Sequence, residues 1–110
     1  MTLEEYQKFT ESTAIYPKEN GQNLIYTTLG LASEAGEVTD KMKKVIRDKG
    51  GVINEETKKE MAKELGDALW YVSQLSSELG LTLDEVAEAN ISKLKSRKDR
   101  NTIHGDGDNR

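Results

Sequence analysis

The chain has 110 residues, 33% of them charged and 35% hydrophobic, with a formal net charge of -4, no cysteine and a single histidine, His104. That size bounds one domain with a modest core, and the acidic balance offers no field to hold a nucleic-acid backbone. Without cysteines there is no disulfide frame, thiolate nucleophile or Cys-based zinc site, and one histidine cannot build a multi-histidine centre within a chain. No apolar run approaches the roughly 18 residues of a membrane span, and the N-terminus lacks a signal peptide's apolar core. No membrane partner and a cytoplasmic location are therefore expected.

Taken in order, the punctuation predicts helices throughout. A first helix opens with the capping box Thr2 to Glu5 and ends before the one proline, Pro17. After the loop "PKENGQ", a long helix is predicted from about Asn23 to Lys49 and is stopped by Gly50 and Gly51. Asn54 is the N-cap expected for a third helix, which closes at Gly80. Thr82 and Glu85 form a second capping box for a fourth helix that fades near Arg97. Residues 101–110 are a Gly- and Asp-rich stretch without periodicity. No alternating strand pattern and no repeat is present. The expected architecture is all-α: one domain over residues 1–100, a bundle of about four helices, and a flexible tail over 101–110.

A helical wheel at about 100° per residue gives the second helix an apolar stripe of Leu24, Leu31, Ala35, Val38, Met42 and Ile46. Glu34 and Glu37 border it. The third helix has a stripe of Met61, Leu65, Ala68, Val72, Leu75 and Leu79, with Glu64 at its edge and Tyr71, Glu60 and Asp67 further round. Side chains three apart are neighbours on a helix surface. If the two long helices pack antiparallel, four carboxylates face one another across a groove. Such acids repel and raise each other's pKa unless a cation joins them; a hard divalent cation such as Mg²⁺ takes oxygen ligands and completes its shell with water and substrate phosphates. Either pair alone reads as solvated surface, but two pairs bordering core stripes point to a site.

The fourth helix adds a second signal. Its stripe of Leu83, Val86, Ala87 and Leu94 also contains Asn90, Lys93 and Arg97. An inward ammonium and guanidinium are costly unless an anion meets them, and both are phosphate partners. Acids for a metal and bases for phosphates suit one ligand, a metal-bound nucleotide.

These residues carry a resemblance. "LGLASEAGEVTDKMKKVIRD", "KELGDALWYVSQL", "NISKLKSRK" and "HGDGDNR" together resemble the MazG-like nucleoside triphosphate pyrophosphohydrolases, the all-α group related to dimeric dUTPases. The resemblance implies metal positions at Glu34, Glu37, Glu64 and Asp67, and substrate-facing positions at Tyr71, Asn90, Lys93 and Arg97. Many relatives begin the first motif with a paired acid where this chain has Ser33. Hydrolysis between the α and β phosphates is implied, with Mg²⁺ as cofactor (Mn²⁺ substituting) and a nucleoside or deoxynucleoside triphosphate as substrate. Glu34 or Glu37 is the candidate to orient the attacking water; Lys93 and Arg97 would hold the departing pyrophosphate. Tyr71 is open between packing on the nucleotide and plugging the core.

Competing readings are a di-iron carboxylate bundle and a non-catalytic helical nucleotide-binding or protein-interaction module. The first needs Glu-x-x-His motifs, which "EAGE" and "ELGD" do not supply. Retention of four acids with inward bases argues against the second. Trp70 lies outside the third stripe and is expected to cover a subunit interface. Residues 101–110 are read as a lid by likeness to the family's terminal segment. Leu29, Leu69, Trp70 and Ile91 at the margins of their stripes leave apolar surface, so a homodimer or homotetramer is expected.

Overall fold

Each start signal caps a helix in the computed structural model, which describes residues 1–110. Helix α1 (Leu3–Ser12) opens on Thr2, whose hydroxyl accepts the Glu5 amide at 3.1 Å while the Glu5 carboxylate accepts the Thr2 amide at 2.9 Å. The pair satisfies two of the amides that a helix start leaves without partners. A 3-10 turn (Glu19–Gly21) leads into α2 (Gln22–Asp48). Gly50 and Gly51, at φ 59 and 78, reverse the chain after it. Asn54 Oδ1 accepts the Thr57 amide at 2.8 Å to start α3 (Glu55–Glu78). The Thr82–Glu85 box starts α4 (Leu83–Asp99), which runs past the expected fading point at Arg97. The all-α, four-helix architecture is the one expected.

Helices α2 and α3 pack antiparallel along most of their length. Asn23 at the start of α2 donates to Glu78 at the end of α3 at 2.5 Å, and Lys49 just past α2 reaches Thr57 in the first turn of α3 at 2.9 Å. The seam between them differs from the wheel-based expectation. Asn23, Thr27, Gly30, Glu34, Lys41 and Val45 recur at helical spacing on α2, and Glu60, Glu64, Asp67, Tyr71, Gln74 and Glu78 on α3. Those rows lie one position round from the predicted stripes. Small side chains such as Gly30 and Thr27 let the backbones come close there.

The interior is correspondingly polar. Thr10, Thr27 and Ser73 are fully buried and Gln74 is 2% exposed, whereas Val45 and Leu83 are the only buried aliphatics. Hydrogen bonds compensate for that burial. Thr10 and Ser73 join α1 to α3 through their hydroxyls at 2.7 Å. Gln7 donates to Ser77 and to the Leu81 carbonyl, both at 2.9 Å, and accepts the Leu83 amide at 2.8 Å, fixing the α3–α4 turn on α1.

The predicted stripes are covered only in part: Leu31, Val38, Met42, Met61, Ala68, Val72 and Leu75 are half-buried beside the seam, and the rest stand open. Leu24, Ile46, Leu65 and Leu79 are 38, 68, 56 and 56% exposed, so these leucines and isoleucine do not form the core of one chain. Helix α4 packs on α1 and the end of α3 and does not approach α2. The radius of gyration is 16.9 Å, against about 13 Å for a closed domain of this length. No helix is long and apolar enough to cross a membrane.

Candidate active site

The antiparallel seam brings Glu34 of α2 against Glu64 and Asp67 of α3, one oxygen from each carboxylate lying within 4.8 Å of the others. Glu64 and Asp67 share a face because they are three apart, and Glu34 is delivered by the register that also pairs Asn23 with Glu78. Partial removal from water raises the Glu34 pKa first, and the charges of Asp67, Glu64 and Glu37 add to it. Lys41 is the one cation close by, 3.8 Å from Glu60 and 3.9 Å from Glu64. Three converging hard oxygen donors with surplus negative charge fit a divalent cation of the Mg²⁺ or Mn²⁺ type. Glu37 stands apart. It is exposed one turn on, close enough to raise Glu34 but outside the group of three.

One wall of this groove is aromatic. Glu34 and Asp67 share a cavity with Trp70 and Tyr71. Trp70 and Tyr71 meet edge to face with ring centroids 5.0 Å apart. Tyr26 lies 6.2 Å from Tyr71 and stacks on Tyr16 at 5.2 Å. Trp70 is therefore a groove residue within the chain; its indole nitrogen donates to Thr13 at 2.8 Å, which turns the ring toward the chain's own loop. Tyr71 fits because position 30 is glycine: a Cβ there would sit 2.1 Å from the Tyr71 ring. Burial, then the nearby Tyr26 hydroxyl, pushes the Tyr71 hydroxyl up to about 12, so it stays a neutral phenol at physiological pH.

A second carboxylate anchors the wall. Glu78 accepts hydrogen bonds from the Tyr16 hydroxyl and from Asn23, which lower its pKa in that order. Gln74 donates to the Tyr16 oxygen at 3.1 Å, leaving its own Oε1 buried without a partner. Tyr16 is thus held from two sides and carries Tyr26 with it.

The basic residues of α4 gather elsewhere. Asn90 and Lys93 line a shallow groove with Leu81, Glu85, Val86 and Ala89. Arg97 is buried at 6% exposure, and the tail has folded over it. Its Nη2 donates to the Asp108 carbonyl and, at 3.3 Å, to the Asp108 carboxylate, which also meets Lys93 at 3.2 Å. Lys93 and, after it, Arg97 hold the Asp108 carboxyl below the usual carboxylate range. Since α4 does not approach α2, one chain does not bring Asn90, Lys93 and Arg97 onto the acids, as a single ligand site would need.

The residues not singled out from sequence are Tyr16, Tyr26, Gly30 and Asp108. Gly30 alone carried a readable signal, a residue without a side chain on the row that holds Glu34.

The family of MazG nucleotide pyrophosphohydrolase domains matches residues 22–101, and the chain belongs to that family. It is 46% identical over 114 residues to the Gene 37 protein of Mycobacterium phage L5, across the full length of both. No solved structure matches it. The matched span begins at the start of α2 and so contains the three acids, the Gly30–Tyr71 contact and all of α4.

Proposed function

We propose that the chain is a nucleotide pyrophosphohydrolase that cleaves a nucleoside or deoxynucleoside triphosphate between its α and β phosphates, giving the monophosphate and pyrophosphate. The convergence of Glu34, Glu64 and Asp67 within 4.8 Å in a chain of this family carries the reading. These three would hold the divalent cation, which when bound supplies charge neutralisation for the phosphate oxygens. Glu37, left out of the group of three, is the carboxylate free to orient a water toward the α-phosphorus and take its proton on Oε. The bond from that phosphorus to the α–β bridging oxygen breaks, and pyrophosphate departs with the electron pair.

The aromatic wall supports a place for the nucleoside. The exposed parts of Trp70 and Tyr71 offer flat apolar surface beside the acids, the kind on which a base or sugar packs. The neutral Tyr71 hydroxyl can donate a hydrogen bond but is not a base.

Lys93 and Arg97, with Asn90, are the phosphate-holding set. Because α4 of one chain stays clear of its own acids, a second copy would contribute this set to the groove. The exposed Leu24, Ile46, Leu65 and Leu79 support the same assembly, a homodimer or homotetramer that covers them.

Two measurements test the proposal. With Mg²⁺ and a panel of canonical and modified triphosphates, monophosphate and pyrophosphate should accumulate in equal amounts for at least one substrate. Diphosphate with inorganic phosphate, or no product across the panel, would sink the reading. Light scattering should give a mass of two or four chains, and a 12.3 kDa species with full activity would remove the shared site.

A further inference from the structure

The tail presents a carboxylate where the proposed function needs a phosphate. Three features make this a built arrangement. First, the tail is tied by its own last residue: Arg110 donates to the carbonyls of Gly107 and Ile103 at 2.7 Å and of Thr102 at 3.2 Å, and its own carbonyl accepts from Arg100 at 2.8 Å. Secondly, the backbone is shaped for the return. Gly105 and Gly107 take φ of 150 and 82, and a Cβ at Gly105 would sit 2.9 Å from the Arg110 side chain. Thirdly, the loop so closed delivers Asp108 to Lys93 and Arg97 together.

Asp108 is nevertheless a poor fit to Arg97. Its main-chain carbonyl and a single carboxylate oxygen, Oδ1, are both met by the same guanidinium nitrogen, Nη2, while Nε is buried with no partner. A guanidinium fork is best satisfied by an anion that engages two nitrogens in parallel, as phosphate oxygens do. The Asp108 side chain is largely in water, 81% exposed, so its pairs with the two charges are screened.

We propose that the C-terminal strap is a built-in competitor of the substrate: Asp108 occupies Lys93 and Arg97 until the pyrophosphate end of the nucleotide displaces it. The strap neutralises the buried guanidinium in the free protein. It gives way because a phosphate satisfies the Nε that Asp108 leaves bare. Displacement frees residues 102–110, so the strap order should report occupancy of the phosphate end. This rests on the assignment of Lys93 and Arg97 to phosphate, and the test separates the two ideas.

Inorganic pyrophosphate is titrated calorimetrically into the wild type and into Asp108→Asn, Arg110→Ala and Lys93→Ala, with helical content checked by circular dichroism. Asp108→Asn should lower the pyrophosphate Kd by about three- to tenfold, the size expected for removing exposed charge pairs that compete with the ligand. Arg110→Ala, which unties the strap without touching Asp108, should shift it in the same direction. Lys93→Ala should raise the Kd. If Asp108→Asn leaves the Kd unchanged or raises it while Lys93→Ala weakens binding, the strap is no competitor and the phosphate assignment survives. If Lys93→Ala changes nothing, the phosphate assignment fails, and the competitor with it.

Discussion

The acidic groove and the basic end of this chain treat their surplus charge in opposite ways. Glu34, Glu64 and Asp67 converge with only Lys41 nearby, at 3.9 Å from one of them, and Glu34 is pushed toward its protonated form. Lys93 and Arg97 are met by the chain's own Asp108, which is pulled toward its ionised form. One cluster is left short of a counter-charge, and the other carries a provisional one. The difference suits a site whose cation arrives from solution and whose anion arrives attached to a nucleotide.

The comparison breaks most severely if the acids are neutralised. Glu64→Gln or Asp67→Asn should reduce divalent-cation-dependent turnover by at least about 100-fold, beyond the usual loss for groups that merely support metal ligands. Circular dichroism should show the helices intact, because removing like charge relieves repulsion. Glu37→Gln should match that loss in kcat without loss of cation binding, read by Mn²⁺ titration. A loss of cation affinity would return Glu37 to the ligand set.

Gly30→Ala should act on the wall beside the acids. The added methyl has no room against Tyr71, so the variant should lose about 1–3 kcal/mol of stability, the usual range for overpacking, together with its turnover. Pairing it with Tyr71→Ala should cost less stability than the sum of the two single changes and leave the turnover low. At the basic end the effect is smaller: Lys93→Ala should raise KM for the triphosphate by about tenfold and change monophosphate inhibition little.

Acid titration sharpens the contrast with the smallest signal. The raised Glu34 pKa means the folded chain binds its proton more tightly than the unfolded one. Stability from Glu34 therefore falls as pH rises through the window from its ordinary value to its raised one, and Glu34→Gln should flatten that slope in cation-free melts. The lowered Asp108 pKa has the opposite sign. Its contribution is present above the ordinary carboxylate value and fades as pH falls through the lowered one, so Asp108→Asn should remove an acid-side loss.

The sequence made the caps and the shared face of Glu64 and Asp67 legible because both depend on short spacings, whereas the approach of Glu34 depends on the register of two helices. Thr2–Glu5 and Asn54–Thr57 are decided within one turn, and Glu64 and Asp67 share a face by geometry alone. The wheel misled where it assumed that the most apolar row must be the seam. Small residues hold its centre instead, as at Thr27 and Gly30, because they permit close backbone approach. Tyr16 and Tyr26 escaped notice since their stacking depends on how the Thr13–Gly21 segment returns across α3, a tertiary fact with no local period. Asp108 was illegible for the same reason: nothing in "GDGDNR" says which lysine or arginine it will meet.

The threonine, serine and glutamine interior has a calorimetric consequence. The heat-capacity increment of unfolding scales with apolar area newly exposed to water and is reduced by polar area. A chain whose fully buried side chains are mostly hydroxyls and amides, and most of whose leucines stand in solvent, should unfold with an increment well below that of ordinary domains of its length. Its own stability curve would be correspondingly flat against temperature. If the proposed second copy covers the leucines, the missing increment should appear as a large negative heat capacity of association.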